Sequence, residues 1–465
     1  MIYGDFFPTG FGRICRHVAQ HLTNNKYELL GACVQWDGIL PLQPASMPFH
    51  VCALSGRDQG QGPAGLANVI ANVVSVFRPD VLISVQDFPY HEALRAARID
   101  WSVMAHVVIT PVDGVPVAQR WLDLVPQFDA FMTISEFGVK AFKEHGLKAD
   151  LCPPGVDMSE FFRLPDSARG DMRDVLSIPH EAFVVGAMAM NQGRKDFPSM
   201  IRAFSEAFRD EPNAYLYLDC ERMSPMGWDI PGLLLKGNKL DEGRVRFRED
   251  AVKAGLMTLN ARYNLLDLHM VTAHREGYGL PHGEAMATGI PSVALDYCSA
   301  SEIIGANERG YLIPAAPTHP GAFGTWGGAL DYWPDMKAFE AILREAFEKS
   351  AERKARGERA LEWVKTQRSW DRTGKAVENV LERVWARRSA DFERKHGQPQ
   401  PKPPVMPTLP AGVHVPSTVF NVNGPIFVQG TNADSVANEI AAKVGKDVQT
   451  VAELMPLVES KGDAD

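Results

Sequence analysis

Paired cysteines are missing from this 465-residue chain: Cys15, Cys33, Cys52, Cys152, Cys220 and Cys298 stand singly, with no C-x-x-C and no histidine at ligand spacing. That excludes a disulfide framework and argues against a zinc cluster. Long apolar runs are missing too, and the opening MIYGDFFPTGFG has neither the charged start nor the apolar core of a secretion signal. No membrane span and a cytoplasmic location are therefore expected. Excess positive charge is also lacking. With 57 acidic against 48 basic residues and a net charge of -9, no global field draws the protein to nucleic acid or an anionic membrane.

What is present is an ordinary globular composition, 45% apolar and 23% charged, in a length that suits two or three domains. Short runs rich in Val, Ile and Leu alternate with helix-patterned segments: LLGACVQW (29–36), VLISVQD (81–87), HVVITPVDG (106–114) and FDAFMTISE (128–136), with the helical LANVIANVVSVF (66–77) before the second. Continuous apolar runs of that length between helices read as buried parallel strands. LCPPGVD (151–157) breaks the pattern with two prolines and a glycine, as a hinge would. It then restarts at AFVVGAMAM (182–190), continues through AYLYLDC (214–220), LDLHMVTA (266–273) and PSVALDY (291–297), and closes with long helices from about 337 to 395.

The fold class expected is α/β, with two Rossmann-like domains, ligands at the carboxyl ends of both sheets, and a small C-terminal appendage. The domain limits are residues 1–155, with a helix over 375–395 crossing back to them, and residues 156–374. Seven prolines between Gln398 and Pro416 mark 396–416 as a linker. Beyond it, 417–465 holds a strand pair around Asn423-Gly424 and a helix over 432–444, too little apolar surface for a core of its own. Self-association into a homo-oligomer through this appendage is expected.

One stretch carries chemistry. In REGYGLPHGEAMATG (275–289) two glutamates lie eight residues apart around a Gly-Tyr-Gly turn. Pro281 at a first helical position, Glu284 in the first turn and Gly289 just past the end describe a short helix following the strand LDLHMVTA. Amides at such a helix start suit an anion such as a diphosphate, while two flanking carboxylates suit a polyol. A nucleotide sugar is both.

Here the sequence resembles the retaining GT-B glycosyltransferases of the glycogen-synthase-like superfamily, in particular the large family 4. The E-x7-E motif of that family, commonly written EGFGLPxxEAMAxGxPVVA, corresponds to EGYGLPHGEAMATGIPSVA (276–294). MTISEFGVKAFKEHG with LCPPGVDMSEFF (132–162) resembles the end of the family's first domain, and SWDRTGKAVENVLERVW (369–385) its last helix, so the resemblance covers roughly residues 1–390.

The resemblance implies transfer of a hexose or pentose from a nucleotide-diphosphate sugar to an acceptor hydroxyl, with the sugar and the donor base, UDP among the candidates, left open by these motifs. It places Glu276 against the transferred sugar, Glu284 on the ribose, and the Gly277, Tyr278, Gly279 and Leu280 backbone at sugar and phosphate. Arg194 and Lys195 in NQGRKDF would carry the diphosphate charge, Arg194 standing in for an arginine the family often has where Met190 lies. PTGFGR (8–13) resembles the glycine-rich loop, with Gly10 and Gly12 allowing close approach of a ligand. Only Met1 to Tyr3 are left before it where the family has a full first strand, so either the first strand is stunted or the chain starts late, which puts the edge of its sheet in question.

Asp113 is the expected counterpart of a residue near the sugar, with Asp87 a neighbouring candidate; as an alternative, Asp113 is an Asx-turn residue before Gly114. The alternative for Arg194, less favoured than the diphosphate role, is a solvated helix-start charge. His17 and His106 read as helix-surface and core histidines. A D-x-D pair occurs only as Asp463-Ala464-Asp465 at the extreme end, so neither a metal nor any other cofactor is expected. The mechanism implied is front-face transfer.

The acceptor is left open between a glycan, a small molecule and a modified DNA base. Residues 351–400 hold 13 Lys/Arg against 8 Asp/Glu, with Trp363, Trp370 and Trp385 among them. That fits a phosphate-facing surface for hydroxymethylated DNA, or a solvated amphipathic helix with core tryptophans. The tail after 417 resembles segments ending some phage structural proteins, which raises a phage-encoded enzyme. The other class of reading is a non-catalytic sugar-nucleotide-binding or virion-associated protein that kept the fold.

Overall fold

The computed structural model describes residues 1–7, 9–25, 27–34, 49–53, 62–317 and 328–396. The linker beyond His396 and the appendage over 417–465 lie outside the described residues, as does Pro8 of the glycine-rich loop. The chain splits into two compact units. One comprises Met1–Ile109, Phe128–Ala130 and the residues from Glu378; the other comprises Thr110–Gln127 and Phe131–Val377.

The first sheet contains β1 (Ile2–Gly4), β2 (Leu30–Cys33), β3 (His50–Ala53), β4 (Val81–Val85), β5 (Ala105–Thr110), β6 (Ala130–Thr133) and β7 (Asp150–Leu151), in the order β3-β2-β1-β4-β5-β6-β7. β1 has three residues, all buried, and pairs in parallel with β2 on one side and β4 on the other. The edge of this sheet is therefore not where the short strand lies. β1 occupies its centre, because the order of a doubly wound sheet reverses about its first strand.

Helix α1 (Gly10–Asn24) follows β1 and is started by Thr9, whose hydroxyl accepts from the Gly12 amide at 3.0 Å. A Cβ at Gly12 would stand 1.8 Å from the Phe7 carbonyl oxygen, so that turn demands glycine whether or not a ligand approaches. Gly10 is exposed as the first helical residue. Helix α2 (Gly62–Phe77) packs Leu66, Ile70 and Val73 into the core beside Leu30 and Leu82, and α3 (Phe88–Ala96) begins directly after Asp87. His106 is a core residue as expected, fully buried, 2.8 Å from the Ser84 hydroxyl and stacked on Trp101.

The second sheet contains β8 (Phe183–Met188), β9 (Ala214–Asp219), β10 (Val245–Phe247), β11 (Leu268–Val271), β12 (Ser292–Leu295) and β13 (Gly310–Ile313). It runs parallel throughout in the order β10-β9-β8-β11-β12-β13. Every residue of β8, β11 and β12 is buried, as their largely apolar runs dictate, and the polar exceptions His269 and Ser292 meet each other at 2.9 Å. Helix α7 (Phe197–Ala207) and α12 (Met336–Glu348) cover one face, with Phe197, Phe204 and Phe339 fully buried against β8 and β9.

Helix α13 (Ser350–Gln367) leads to α14 (Trp370–His396). From Glu378 on, α14 belongs to the first unit, where Glu378 meets His21 at 3.0 Å and Arg388 meets both oxygens of Asp129 at 2.9 Å. The reading of Trp363, Trp370 and Trp385 as core residues does not hold. Trp385 is 44% exposed, and the other two are half-buried. Trp363 serves as a platform for two guanidinium groups, Arg309 and Arg368, each 4.5 Å from its ring. Among the described residues no helix is long and apolar enough to cross a membrane.

Candidate functional site

The strand order of the second sheet reverses between β8 and β11, and the loops at their carboxyl ends carry the residues singled out by sequence. After β8 the chain makes a 3-10 turn, Gly193–Lys195, then places Asp196 in a left-handed conformation (φ 54°) that starts α7. After β11 the loop Thr272–Gly279 leads into α10 (Leu280–Ala287). The His274 amide donates to the Arg194 carbonyl at 2.9 Å, which ties the two loops together.

Helix α10 starts one residue earlier than expected, so Pro281 is its second residue. It has no N–H to lose there. Gly279 at φ +85° forms the entry to the helix, a conformation that side chains resist. Gly289 at φ +79° follows its end. Ser299 donates its hydroxyl to the carbonyls of both Glu276 (3.1 Å) and Tyr278 (2.8 Å). The carbonyls are thereby held to one side, and among the described residues the amides of Gly277, Tyr278, Gly279 and Leu280 have no hydrogen-bond partner. Tyr278 is buried, with its hydroxyl 3.3 Å from the Pro154 carbonyl, so it contributes packing and backbone rather than an exposed ring.

Glu276 is the centre of the charge arrangement. One carboxylate oxygen accepts from Lys195 in a very close ion pair and from Arg194 at 3.2 Å. Burial pushes this carboxyl upward, but the adjacent Lys195 and Arg194 outweigh it and hold the pKa at about 2. Lys195 is itself buried, which depresses its pKa against the opposing pull of Glu276. Arg194 is thus not merely a solvated helix-start charge: it shares the carboxylate with Lys195, while Met190 is 69% exposed.

Asp113 follows β5 and reaches the same place. A Cβ on Gly277 would lie 2.5 Å from Pro111 and 2.9 Å from the Asp113 carboxylate, so the missing side chain is what lets this loop come against Glu276. Burial raises the Asp113 pKa, partly offset by Arg194 and reinforced by Glu276. The Cys298 thiol donates to its carbonyl at 2.7 Å. Asp87 lies in the first unit, at the start of α3, as do Gly10 and Gly12 at the start of α1.

Glu284 is buried on α10 and accepts a hydrogen bond from the Tyr263 hydroxyl at 2.7 Å. Tyr263 comes from α9 (Leu259–Asn264) and is fully buried. Sequence reasoning missed it. Nothing in NARYNLL marks a tyrosine that meets a carboxylate 21 residues later. His282 was missed as well: it is buried beside Glu276 and faces His269 at 5.4 Å between ring centres. Burial, only partly opposed by Glu276, takes its pKa to about 4, so it is neutral at physiological pH. Arg275 points away to a close ion pair with buried Asp331.

Replacing Tyr263 by Phe tests this support. The loss of one donor to a buried carboxylate amounts to about 1.5 kcal/mol, so if Glu284 contacts the ligand, KM for it should rise roughly tenfold with kcat changed less. Unchanged KM in steady-state kinetics would remove Tyr263 from the site.

A model of the family described as glycosyl transferases group 1 matches residues 255–319, the segment that holds α9, β11, α10 and β12. No curated protein sequence matches the chain. Among solved structures, a sucrose-phosphate synthase from Thermosynechococcus elongatus superimposes with a TM-score of 0.62 at 15% identity, covering 83% of this chain and 99% of its own. HepE of Anabaena, in complex with UDP and glucose, gives 0.60 at 18% identity over 82% of this chain and 98% of its own. WaaG, a glycosyltransferase involved in lipopolysaccharide biosynthesis, gives 0.57 at 17% identity over 82% and 99%. The fold is therefore GT-B, two Rossmann-like α/β domains with parallel sheets.

Proposed function

We propose that this protein is a retaining glycosyltransferase of family 4 that moves a sugar from a nucleoside-diphosphate sugar to an acceptor hydroxyl without a metal ion. The observation that carries the reading is the Glu276 carboxylate, paired to Lys195 and Arg194 beside Asp113 at a helix entry where the Gly277 to Leu280 amides have no hydrogen-bond partner among the described residues. The group 1 match over the same loop and helix supports it. The HepE structures, which hold UDP, glucose and UDP-glucose, favour a uridine donor.

A diphosphate arriving at the amides of Gly277 to Leu280 takes the Lys195 and Arg194 cations as its own counterions. Glu276 then has its oxygens to offer to hydroxyls of the transferred sugar, Asp113 lies beside it, and Glu284 is left to hold the ribose. As the bond from the anomeric carbon to the phosphate oxygen breaks, negative charge grows on that oxygen. The two cations stabilise it, because a fixed charge aimed at a developing one needs no reorganisation. The phosphate oxygen takes the proton of the acceptor hydroxyl, whose oxygen bonds the anomeric carbon on the same face. Configuration is retained, and the nucleoside diphosphate departs carrying the proton.

The decisive experiment incubates the protein with radiolabelled UDP-, ADP- and GDP-sugars, with EDTA or added magnesium. Acceptors are small glycosides, glycans and hydroxymethylated DNA. Transfer with retained configuration in EDTA supports the reading; strict dependence on added metal overturns its metal-free part, and no donor turnover with any acceptor overturns the whole. In the same assay, Lys195→Ala is expected to weaken donor and nucleoside diphosphate binding by tenfold or more, read by calorimetry. Undiminished affinity would take Lys195 away from the phosphates.

A further inference from the structure

The first unit holds a cavity of about 350 Å³ that the proposed reaction does not use. It lies at the amino ends of β1 and β4, where Ile2 and Val81 line it, with α14 alongside through Leu381, Glu382 and Trp385. Ligands of doubly wound sheets bind at the carboxyl ends, so this space is at the opposite end of the same strands. Its size falls in the range of small-molecule sites.

The lining has two characters. Leu22, Ile83 and Leu381 are buried and give an apolar interior. Sugars and nucleotides fit this poorly, since their hydroxyls would be stripped of water without partners. The rim is acidic: Glu28, Asp80 and Glu382 are exposed around the opening, and among the described side chains lining it Arg78 is the one cation. The Met1 α-amino group, which also lines it, is lowered by burial to a pKa of about 5 against the pull of Asp80, so it adds little positive charge there. Burial raises the Asp80 pKa, the response of a carboxylate that has lost part of its water. Trp385, on the same turn of α14 as Glu382, leaves 44% of its surface exposed. An exposed indole beside carboxylates is a receptor for an organic ammonium group.

We propose that this cavity binds a small organic cation with an apolar body, an aryl- or alkylammonium, the body in the Leu22, Ile83 and Leu381 interior and the charge at the Glu382 and Trp385 rim. The apolar body accounts for the interior, and the positive charge for an opening where carboxylates outnumber guanidinium three to one. An anion meets repulsion there, and a neutral molecule leaves the rim unanswered.

The test uses the full chain and three probes of one shape: 3-phenylpropylammonium, 3-phenylpropanol and 3-phenylpropionate, titrated by calorimetry or ligand-observed NMR at low salt. The ammonium is expected to bind at least fivefold tighter than the alcohol, and the carboxylate not measurably. Trp385→Ala and Glu382→Gln, both surface changes, should each weaken the ammonium about fivefold. Arg78→Gly should tighten it, because it removes the rim cation. It should also fold readily, since Arg78 sits at φ 49° just after α2, where glycine is at ease. Saturating UDP should leave binding unchanged. Equal affinity for the alcohol would make the cavity an apolar docking groove instead. Indifference to Trp385→Ala and Glu382→Gln, or displacement by UDP, would place the probe elsewhere; each of these results overturns the proposal.

Discussion

Glu276→Gln is expected to fold, to bind nucleoside diphosphate at least as well as the unaltered protein, and to lose transfer by about 2–4 kcal/mol of transition-state stabilisation, roughly thirtyfold to nine-hundredfold in kcat. The two halves of this expectation have one cause. A single oxygen of Glu276 accepts from both Lys195 and Arg194. A diphosphate must draw both cations away from it, so an amide at this position leaves them more available and does not weaken nucleotide binding. The transferred sugar loses more. A carboxylate with a pKa near 2 is ionised at every working pH, and its fixed negative charge beside a ring that becomes cationic is worth most in the transition state. Single-turnover rates and calorimetric titration with UDP separate the two effects. Turnover close to that of the unaltered protein would remove Glu276 from the chemistry.

Asp267→Ala is expected to destabilise the second unit by about 3–5 kcal/mol, the cost of breaking a buried ion pair by removing one partner. Asp267 precedes β11 and accepts from Arg169 at 2.8 Å, Arg173 at 2.7 Å and the Val184 amide at 2.9 Å, with Arg353 at 3.7 Å. It therefore fastens α6 (Asp166–Val175), the start of β8 and α13 to one point. Arg173 and Arg353 are buried, so both would be left as charges short of a counterion. In calorimetry the transition should fall by on the order of 10 °C for a unit of this size. A fall below 2 °C would show that the cluster is solvated.

The same carboxylate gives a pH dependence of known sign. Burial alone would raise its pKa, but Arg169, Arg173 and Arg353 bring it below the ordinary aspartate value. A depressed folded pKa stabilises fully above the unfolded value of about 3.9, and that stability is lost as pH falls toward the folded pKa. Acid unfolding of the unaltered protein should therefore steepen below about pH 4, and Asp267→Ala should flatten that limb.

Much of this protein follows from local sequence, for a physical reason. A strand buried on both faces must be mostly apolar, with its few polar groups hydrogen-bonded as Ser84 with His106 and His269 with Ser292 are, so β4, β5, β8, β9, β11 and β12 announce themselves as largely apolar runs between helices. The turn into α10 is equally local, because a left-handed entry at Gly279 and a proline in the first turn act within a few residues. Residue spacing alone thus placed Glu276 before the helix and Glu284 on it. Strand order is not local. Adjacency of β8 and β11 brings Lys195 to Glu276 across 81 residues, and only packing of the whole sheet decides it. The same holds for Asp113 against Gly277, for Tyr263 under Glu284, and for β1, whose three residues look like a stunted edge in sequence but pair on both sides at the centre of their sheet. Sequence set which side chains the site has; the tertiary structure decided which of them meet, because charges separated along the chain interact only after folding has removed the water and distance between them.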